Sequence, residues 1–277
     1  MTFTTLIEVS ELAANLNGDD LIVVDCRFNL GDTAAGESAY LKEHIAGAVY
    51  AHLGRDLSGA PFTDKGRHPM LSSDGMNGLF GRLGISASTQ VVAYDDMRGA
   101  VASRLWWMLQ HMGHTNAAVL NGGWQAWKAA GLPTSAGEES NPTTIYSGIP
   151  GQTTLITIDD VPGQALLIDS RAAARYRGEE EPIDPVAGHI PGAVNYPFAN
   201  NFGEDGRFLS DTDLKSRFDE LLKEQAPSET TFYCGSGVTA CANILALAHA
   251  GLGFARQYGG SWSEWSREKS SDAIELG

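Results

Sequence analysis

Thr230-Thr231-Phe232-Tyr233-Cys234-Gly235-Ser236-Gly237-Val238-Thr239-Ala240 is the stretch on which both fold and chemistry turn. Its first four residues are β-branched or aromatic and read as a short buried strand. Ala240-Cys241-Ala242-Asn243-Ile244-Leu245-Ala246-Leu247-Ala248 follows, small and apolar, and reads as a helix. Cys234 therefore stands where a strand hands over to a helix. Gly235 and Gly237 permit a tight curl in which successive N–H groups face one spot. The helix start adds the positive end of its dipole. A sulfur in such a cup is favoured as the thiolate, its nucleophilic form, and the hydroxyls of Ser236 and Thr239 can donate to an anion there. The plain alternative is a buried cysteine beside a glycine turn.

Moving outward from this stretch, the chain repeats itself. Val23-Val24-Asp25-Cys26-Arg27 matches Leu167-Ile168-Asp169-Ser170-Arg171, and Glu43-His44-Ile45-Ala46-Gly47-Ala48-Val49 matches Gly188-His189-Ile190-Pro191-Gly192-Ala193-Val194. Val92-Ala93-Tyr94-Asp95 matches Thr231-Phe232-Tyr233-Cys234, and Asn121-Gly122-Gly123-Trp124 matches Gly259-Gly260-Ser261-Trp262. Four matches in one order, at an offset of about 140 positions, mark a duplicated unit. In the first copy, apolar runs at 21–25, 91–95 and 118–120 alternate with helical segments at 74–83, 101–112 and 124–130, and Ser10 is the expected cap of a short helix at 11–16. Asn17-Gly18-Asp19-Asp20 reads as a turn, and residues 51–72 as a long irregular loop. Strands alternating with helices predict an α/β fold, each copy a parallel sheet flanked by helices. The expected domains are 1–131 and 152–277, joined by a turn-rich linker at 132–151. Cys234 aligns with Asp95, so only the second copy carries the nucleophile.

Composition narrows the partners. The 277 residues carry a net charge of −15, which argues against nucleic acid or an anionic membrane. Three scattered cysteines are too few for a disulfide framework or a zinc site, and they suit a reducing, cytoplasmic setting. No basic start followed by an apolar run, and no stretch of membrane-spanning length, is visible.

Asp-x-Arg, then Gly-His-Ile-Pro-Gly-Ala, then the Cys234 loop, then Gly-Gly-x-Trp-x-x-Trp resembles the rhodanese family of sulfurtransferases in its tandem two-domain form, over almost the whole chain. The resemblance implies an inactive first domain and a second that moves a sulfur atom through a cysteine persulfide. It needs no metal and no organic cofactor. The loop Cys234-Gly235-Ser236-Gly237-Val238-Thr239-Ala240 is similar to that of the 3-mercaptopyruvate-using members. Thiosulfate-preferring members carry bulky basic residues where Gly235 and Ser236 stand. The resemblance implies Cys234 as nucleophile and sulfur carrier, Ser236 as proton relay to the leaving enolate, and the loop of Gly235, Gly237, Val238 and Thr239 around the substrate. It implies Arg175 as the carboxylate-gripping cation, with His68 and its acidic partner Asp56 contributed from the first half. In the family a second arginine follows a Glu-Pro pair. Here Glu181-Pro182 is followed by Ile183-Asp184, which leaves the donor one cation short, with Arg177 as a substitute. The implied partners are a small anionic sulfur donor and an acceptor that is cyanide, a small thiol or a thioredoxin-like protein.

Asp25, Arg27, Asp169 and Arg171, together with His44 and His189, recur in both copies and read as architecture. The tryptophans read as packing residues. Cys241 reads as a buried structural thiol, with a resolving role as the minor option. A cysteine phosphatase would need an arginine at the position of Ala240. A thiosulfate-specific enzyme and a non-catalytic sulfur-binding or regulatory scaffold are the competing readings.

Overall fold

The computed structural model describes residues 2–18, 20–60, 65–151 and 153–277. Asp19 of the expected turn, residues 61–64 of the expected loop and Gln152 at the expected domain junction lie outside the described residues. The chain forms two compact units: Met1–Leu57, Leu71–Gln152 and Gly203–Phe208 make unit 1, and Ser58–Met70, Thr153–Phe202 and Leu209–Gly277 make unit 2. The segment 58–70, which carries Arg67 and His68, therefore belongs with the cysteine-bearing half. The stretch read as a linker is tied to unit 1, where the Thr144 and Gly148 N–H groups donate to Gly81 O and to Asn77 Oδ1.

Unit 1 runs β1 (Leu6–Ile7), α1 (Val9–Asn15), β2 (Leu21–Asp25), α2 (Ala35–Lys42), β3 (His44–Ile45), β4 (Val49–Tyr50), α3 (Ser73–Arg82), β5 (Gln90–Tyr94), α4 (Ala102–His111), β6 (Ala117–Leu120), α5 (Gly123–Ala129) and β7 (Thr134–Ser135). Its five-stranded sheet, in the order β1-β6-β5-β2-β4, is parallel throughout. The short pair β3 and β7 is antiparallel. Val23, Val92, Tyr94, Ala118 and Leu120 on the strands pack with Leu12 and Trp127 on the helices, as expected for strands covered on both faces. Two details differ from expectation. Glu8, not Ser10, starts α1, through a capping box with Glu11. Helix α2 is absent from the sequence reading, because Ala35-Gly36-Glu37-Ser38 has no apolar period and the helix buries only Gly36 and Tyr40.

Unit 2 runs β8 (Leu155–Ile156), β9 (Leu166–Asp169), α6 (Ala173–Tyr176), β10 (Val194–Asn195), α7 (Asp211–Leu222), β11 (Thr230–Tyr233), α8 (Ala240–His249), β12 (Arg256–Tyr258) and α9 (Ser261–Glu268). Its parallel sheet has the order β8-β12-β11-β9-β10. Element for element this is the order of unit 1, with β11 in the place of β5 and β12 in the place of β6.

The recurring motifs are brackets that hold each sheet to its helices. Arg27 and Arg171 pair with Asp25 and Asp169 at 2.6 Å and lie over the rings of Trp124 and Trp262 at 4.5 and 4.7 Å. Tyr94 and Tyr233 each accept the N–H of the isoleucine after the paired histidine, Ile45 or Ile190, at 3.2 Å. His44 and His189 stack on Tyr40 and Tyr176. Buried charges of this kind persist because each is matched and hydrogen-bonded. No helix among the described residues is long and apolar enough to cross a membrane.

Candidate active site

Cys234 follows β11 directly, and the backbone around it is hung from the start of α9. Cys234 O and Gly235 O accept the N–H groups of Trp262 and Ser263 at 3.0 and 2.9 Å, while the Cys234 N–H donates to Ser261 Oγ at 3.1 Å. Gly237 turns the chain through a left-handed conformation, φ +72°, and a Cβ there would stand 2.4 Å from Gly259 O. No other residue fits that position without moving the backbone. The loop ends at α8, whose first turn holds Cys241. Among the described residues no acceptor takes the main-chain N–H of Gly235, Ser236, Val238, Thr239 or Ala240. Thr239 makes no side-chain capping bond to α8.

The matching turn of unit 1 shows what such a loop is built to hold. There the Asp95 carboxylate accepts the N–H groups of Met97 and Gly99 on one oxygen and of Val101 and Ala102 on the other, at 2.8 to 2.9 Å. Counting from the nucleophile position, these donors correspond to Ser236, Val238, Ala240 and Cys241. The turn is therefore an anion cup in both units. Unit 1 fills it with its own carboxylate. In unit 2 a short sulfur side chain starts from the same place, and three of the four corresponding donors have no acceptor among the described residues.

Two guanidinium groups flank the cup. A Cβ built on Gly235 would lie 3.2 Å from Arg67 Nη2 and 3.4 Å from Arg175 Nη1. Asp184 joins them: its Oδ1 accepts from Arg67 Nη1, and its Oδ2 lies 3.4 Å from Arg175 Nη2. Glu181 also grips Arg175, at 2.6 Å. Burial drives the Asp184 carboxyl upward, against the pull of Arg67. For Glu181 burial also acts upward, but its hydrogen bonds to Arg175 and to the Asp184 and Ile183 N–H groups leave it below the usual carboxylate range. His68 Nδ1 and Ser236 Oγ share a 2.8 Å hydrogen bond. Cys234, Ser236, His68 and Arg175 are thus gathered in one place within unit 2.

Asp56 belongs to unit 1, where it accepts the His52 N–H at 2.9 Å and pairs with Arg55 and Arg82. Arg177 is not a substitute cation, since it is turned outward onto Glu179. Cys26 is fully buried, and burial together with Asp25 and Asp95 pushes its thiol far up. Cys241 Sγ lies 3.5 Å from Gly237 O and is the acceptor of Gln257 Nε2 at 3.3 Å.

A family model described as the rhodanese-like domain matches the chain twice, over residues 8–130 and 157–268. The chain belongs to the rhodanese family. A probable 3-mercaptopyruvate sulfurtransferase of Pseudomonas aeruginosa is 46% identical, with 96% of each chain covered. A putative thiosulfate sulfurtransferase of Mycobacterium tuberculosis is 37% identical over 95% of this chain and 94% of that one. The solved 3-mercaptopyruvate sulfurtransferase from Leishmania major aligns with a TM-score of 0.87 at 35% identity, covering 98% of this chain and 76% of that one. This rhodanese is an enzyme, a sulfurtransferase that works on small sulfur donors and acceptors.

Arg67 is the cation that sequence reasoning missed. Its signal is its place beside His68 in the run Gly66-Arg67-His68-Pro69. The second arginine does not come from the segment after Glu181. A second guanidinium, that of Arg67 in segment 58–70, stands beside Gly235 instead, and Asp184, at the departure from the family pattern, is its anchor.

Proposed function

We propose that this rhodanese takes sulfur from 3-mercaptopyruvate and passes it to a thiophilic acceptor through a persulfide on Cys234. The observation that carries the reading is the conjunction of a cysteine at the base of an anion cup with two arginines beside it. Two guanidiniums suit a carboxylate next to a ketone. The loop from Gly235 to Ala240 contributes no basic side chain. The Cys234 thiolate attacks the donor sulfur, and the C–S bond breaks with its electrons passing to carbon. The leaving group is the enolate of pyruvate, and it takes a proton at carbon, relayed by Ser236 under the control of His68. The sulfur stays on Cys234 as a persulfide, which the main-chain donors of the cup hold as an anion. An acceptor nucleophile then attacks the outer sulfur and restores the thiolate.

The acceptor is cyanide in an assay, and a small thiol or a thioredoxin-like protein is its cellular counterpart. Three free cysteines favour a reducing, cytoplasmic setting. Thiosulfate is the second reading for the donor, favoured by the name of the Mycobacterium tuberculosis relative.

The test is a side-by-side rate comparison with the two donors, repeated in Arg175→Ala, with intact mass spectrometry of the protein after exposure to donor. The expected result is faster turnover of mercaptopyruvate and one added sulfur on Cys234. In Arg175→Ala, KM for mercaptopyruvate rises by roughly ten- to a hundredfold, because a charge-assisted pair is lost. Faster turnover of thiosulfate, undiminished in Arg175→Ala, gives the donor to the second reading. Sulfur transfer that persists in Cys234→Ser removes the mechanism.

A further inference from the structure

Gln257 lies on β12 beside the cysteine strand, paired in register with Phe232, two residues before Cys234. The same place in unit 1, paired with Ala93 two residues before Asp95, is held by Val119. A fully buried glutamine in the middle of a sheet is unfavourable unless its amide is fully bonded. Here it is only half bonded. Its Nε2 donates to Gly237 O at 2.6 Å and to Cys241 Sγ at 3.3 Å, while no donor among the described residues reaches its Oε1. The amide cannot be turned over to cure this, because its oxygen would then face the Gly237 carbonyl. The copy without a nucleophile dispenses with the polar group altogether. The copy with the nucleophile keeps it at a cost in stability.

The bond it makes has a geometric consequence. In a trans peptide the carbonyl and the following N–H point in opposite directions. Gly237, in its left-handed conformation, is the joint at which this peptide plane can swing. Tying Gly237 O to Gln257 fixes the plane and turns the Val238 N–H the other way. The counterpart of that N–H in unit 1, on Gly99, is one of the four donors to Asp95, at 2.8 Å. We propose that Gln257 is a positioning residue for sulfur transfer, holding the 237–238 peptide so that the Val238 N–H faces the sulfur on Cys234. Cys241 is part of the same clamp, since its thiol lies against the same carbonyl. This rests on the reading of Cys234 as sulfur carrier.

The variants are Gln257→Val, which copies unit 1, and Gln257→Met, which keeps the length of the side chain without a donor. Three quantities are measured on each: kcat and KM with mercaptopyruvate, the decay of the Cys234 persulfide by intact mass after donor removal, and the melting temperature. Removing one oxyanion donor typically slows an enzyme about a hundredfold or more, and loosening one should cost about ten- to a hundredfold. Both variants should lose that much in kcat and shed the persulfide several times faster. KM should stay within about twofold, because Arg67 and Arg175 are untouched, and the melting temperature should hold or rise. A purely structural glutamine would leave kcat and the persulfide lifetime of the folded enzyme unchanged, and that result in either folded variant overturns the proposal. Failure of the underlying reading shows in the wild type, which would then take up no sulfur, and it takes the proposal with it.

Discussion

The two anion cups of this rhodanese share their strand order, the bond from the first tryptophan N–H of the next helix (Trp124 or Trp262) to the carbonyl of the nucleophile position, and a left-handed residue three places after that position. Arg98 holds it in unit 1 and Gly237 in unit 2, with φ of 60° and 72°. They differ in what starts from the bottom. Asp95 sends two oxygens onto four donors and closes its cup. Even so, burial outweighs those four bonds and leaves its carboxyl above the usual range. An anion in this fold is therefore held against a substantial desolvation cost, and every N–H donor counts. Cys234 leaves corresponding donors open to whatever the sulfur becomes. The fold supplies the hole in both copies; in the proposed mechanism one side chain decides whether it is a plug or a catalyst.

The sharpest way to break this equivalence is to write the plug into the working copy. Cys234→Asp should abolish sulfur transfer, by at least about a thousandfold, since the nucleophile is gone. It should not unfold the enzyme, because the new carboxylate meets the N–H groups of Ser236, Val238 and Ala240. Urea unfolding of unit 2 should stay within about 1 kcal/mol of wild type. A loss above about 3 kcal/mol would mean that the cup of unit 2 does not accept an anion as that of unit 1 does.

The converse change has a smaller effect, on stability alone. Asp95→Ala strips the acceptor from four N–H groups, three of them buried, and unit 1 should lose about 3 kcal/mol, on the scale of losing hydrogen bonds to a charged group. At temperatures where both units remain folded, kcat should be unchanged within about twofold. Calorimetry and a steady-state assay check the two halves of this statement. A stable Asp95→Ala would show that those N–H groups find other acceptors.

The comparison also explains what is legible in the sequence. The duplication, the strand order and the cysteine loop are readable because each rests on local chemistry: β-branched runs, Asp-x-Arg brackets and glycines at a forced turn. Helix α2 is not, because it buries almost nothing apolar. Arg67 and Gln257 are not, because each acts across a distance in sequence. Arg67 is brought to Asp184 by the path of segment 58–70, and Gln257 faces Gly237 only once β12 is in register with β11. A single polar residue where the other copy has valine is a visible signal for Gln257, available from alignment of the two halves. Asp95 carries a signal too: in sequence it marks only a missing nucleophile, and in the fold it is the occupant of the cup.

The smallest expected effect tests whether the two halves differ in acid. After α4 the chain turns at His114, whose N–H donates to Leu109 O as that of Leu252 does to Leu247 O in unit 2. Burial lowers the His114 imidazole below its ordinary value, against the opposing pull of the Thr89 and Asn116 backbone, and its Nε2–H donates to Thr89 O at 2.9 Å. Above about pH 6.5 the ring is neutral in both folded and unfolded chains. As pH falls through that value the unfolded chain takes up its proton first. Stability contributed by the neutral ring is therefore full above about pH 6.5 and is lost on the way down. Leu252 has nothing to titrate. His114→Leu should flatten the acid-side decline of unit 1, read as urea midpoints between about pH 7.5 and 5 from amide exchange on β5 and β6. An identical slope in the variant would mean that the ring is protonated equally in both states, and that the acid response of unit 1 comes from its carboxylates.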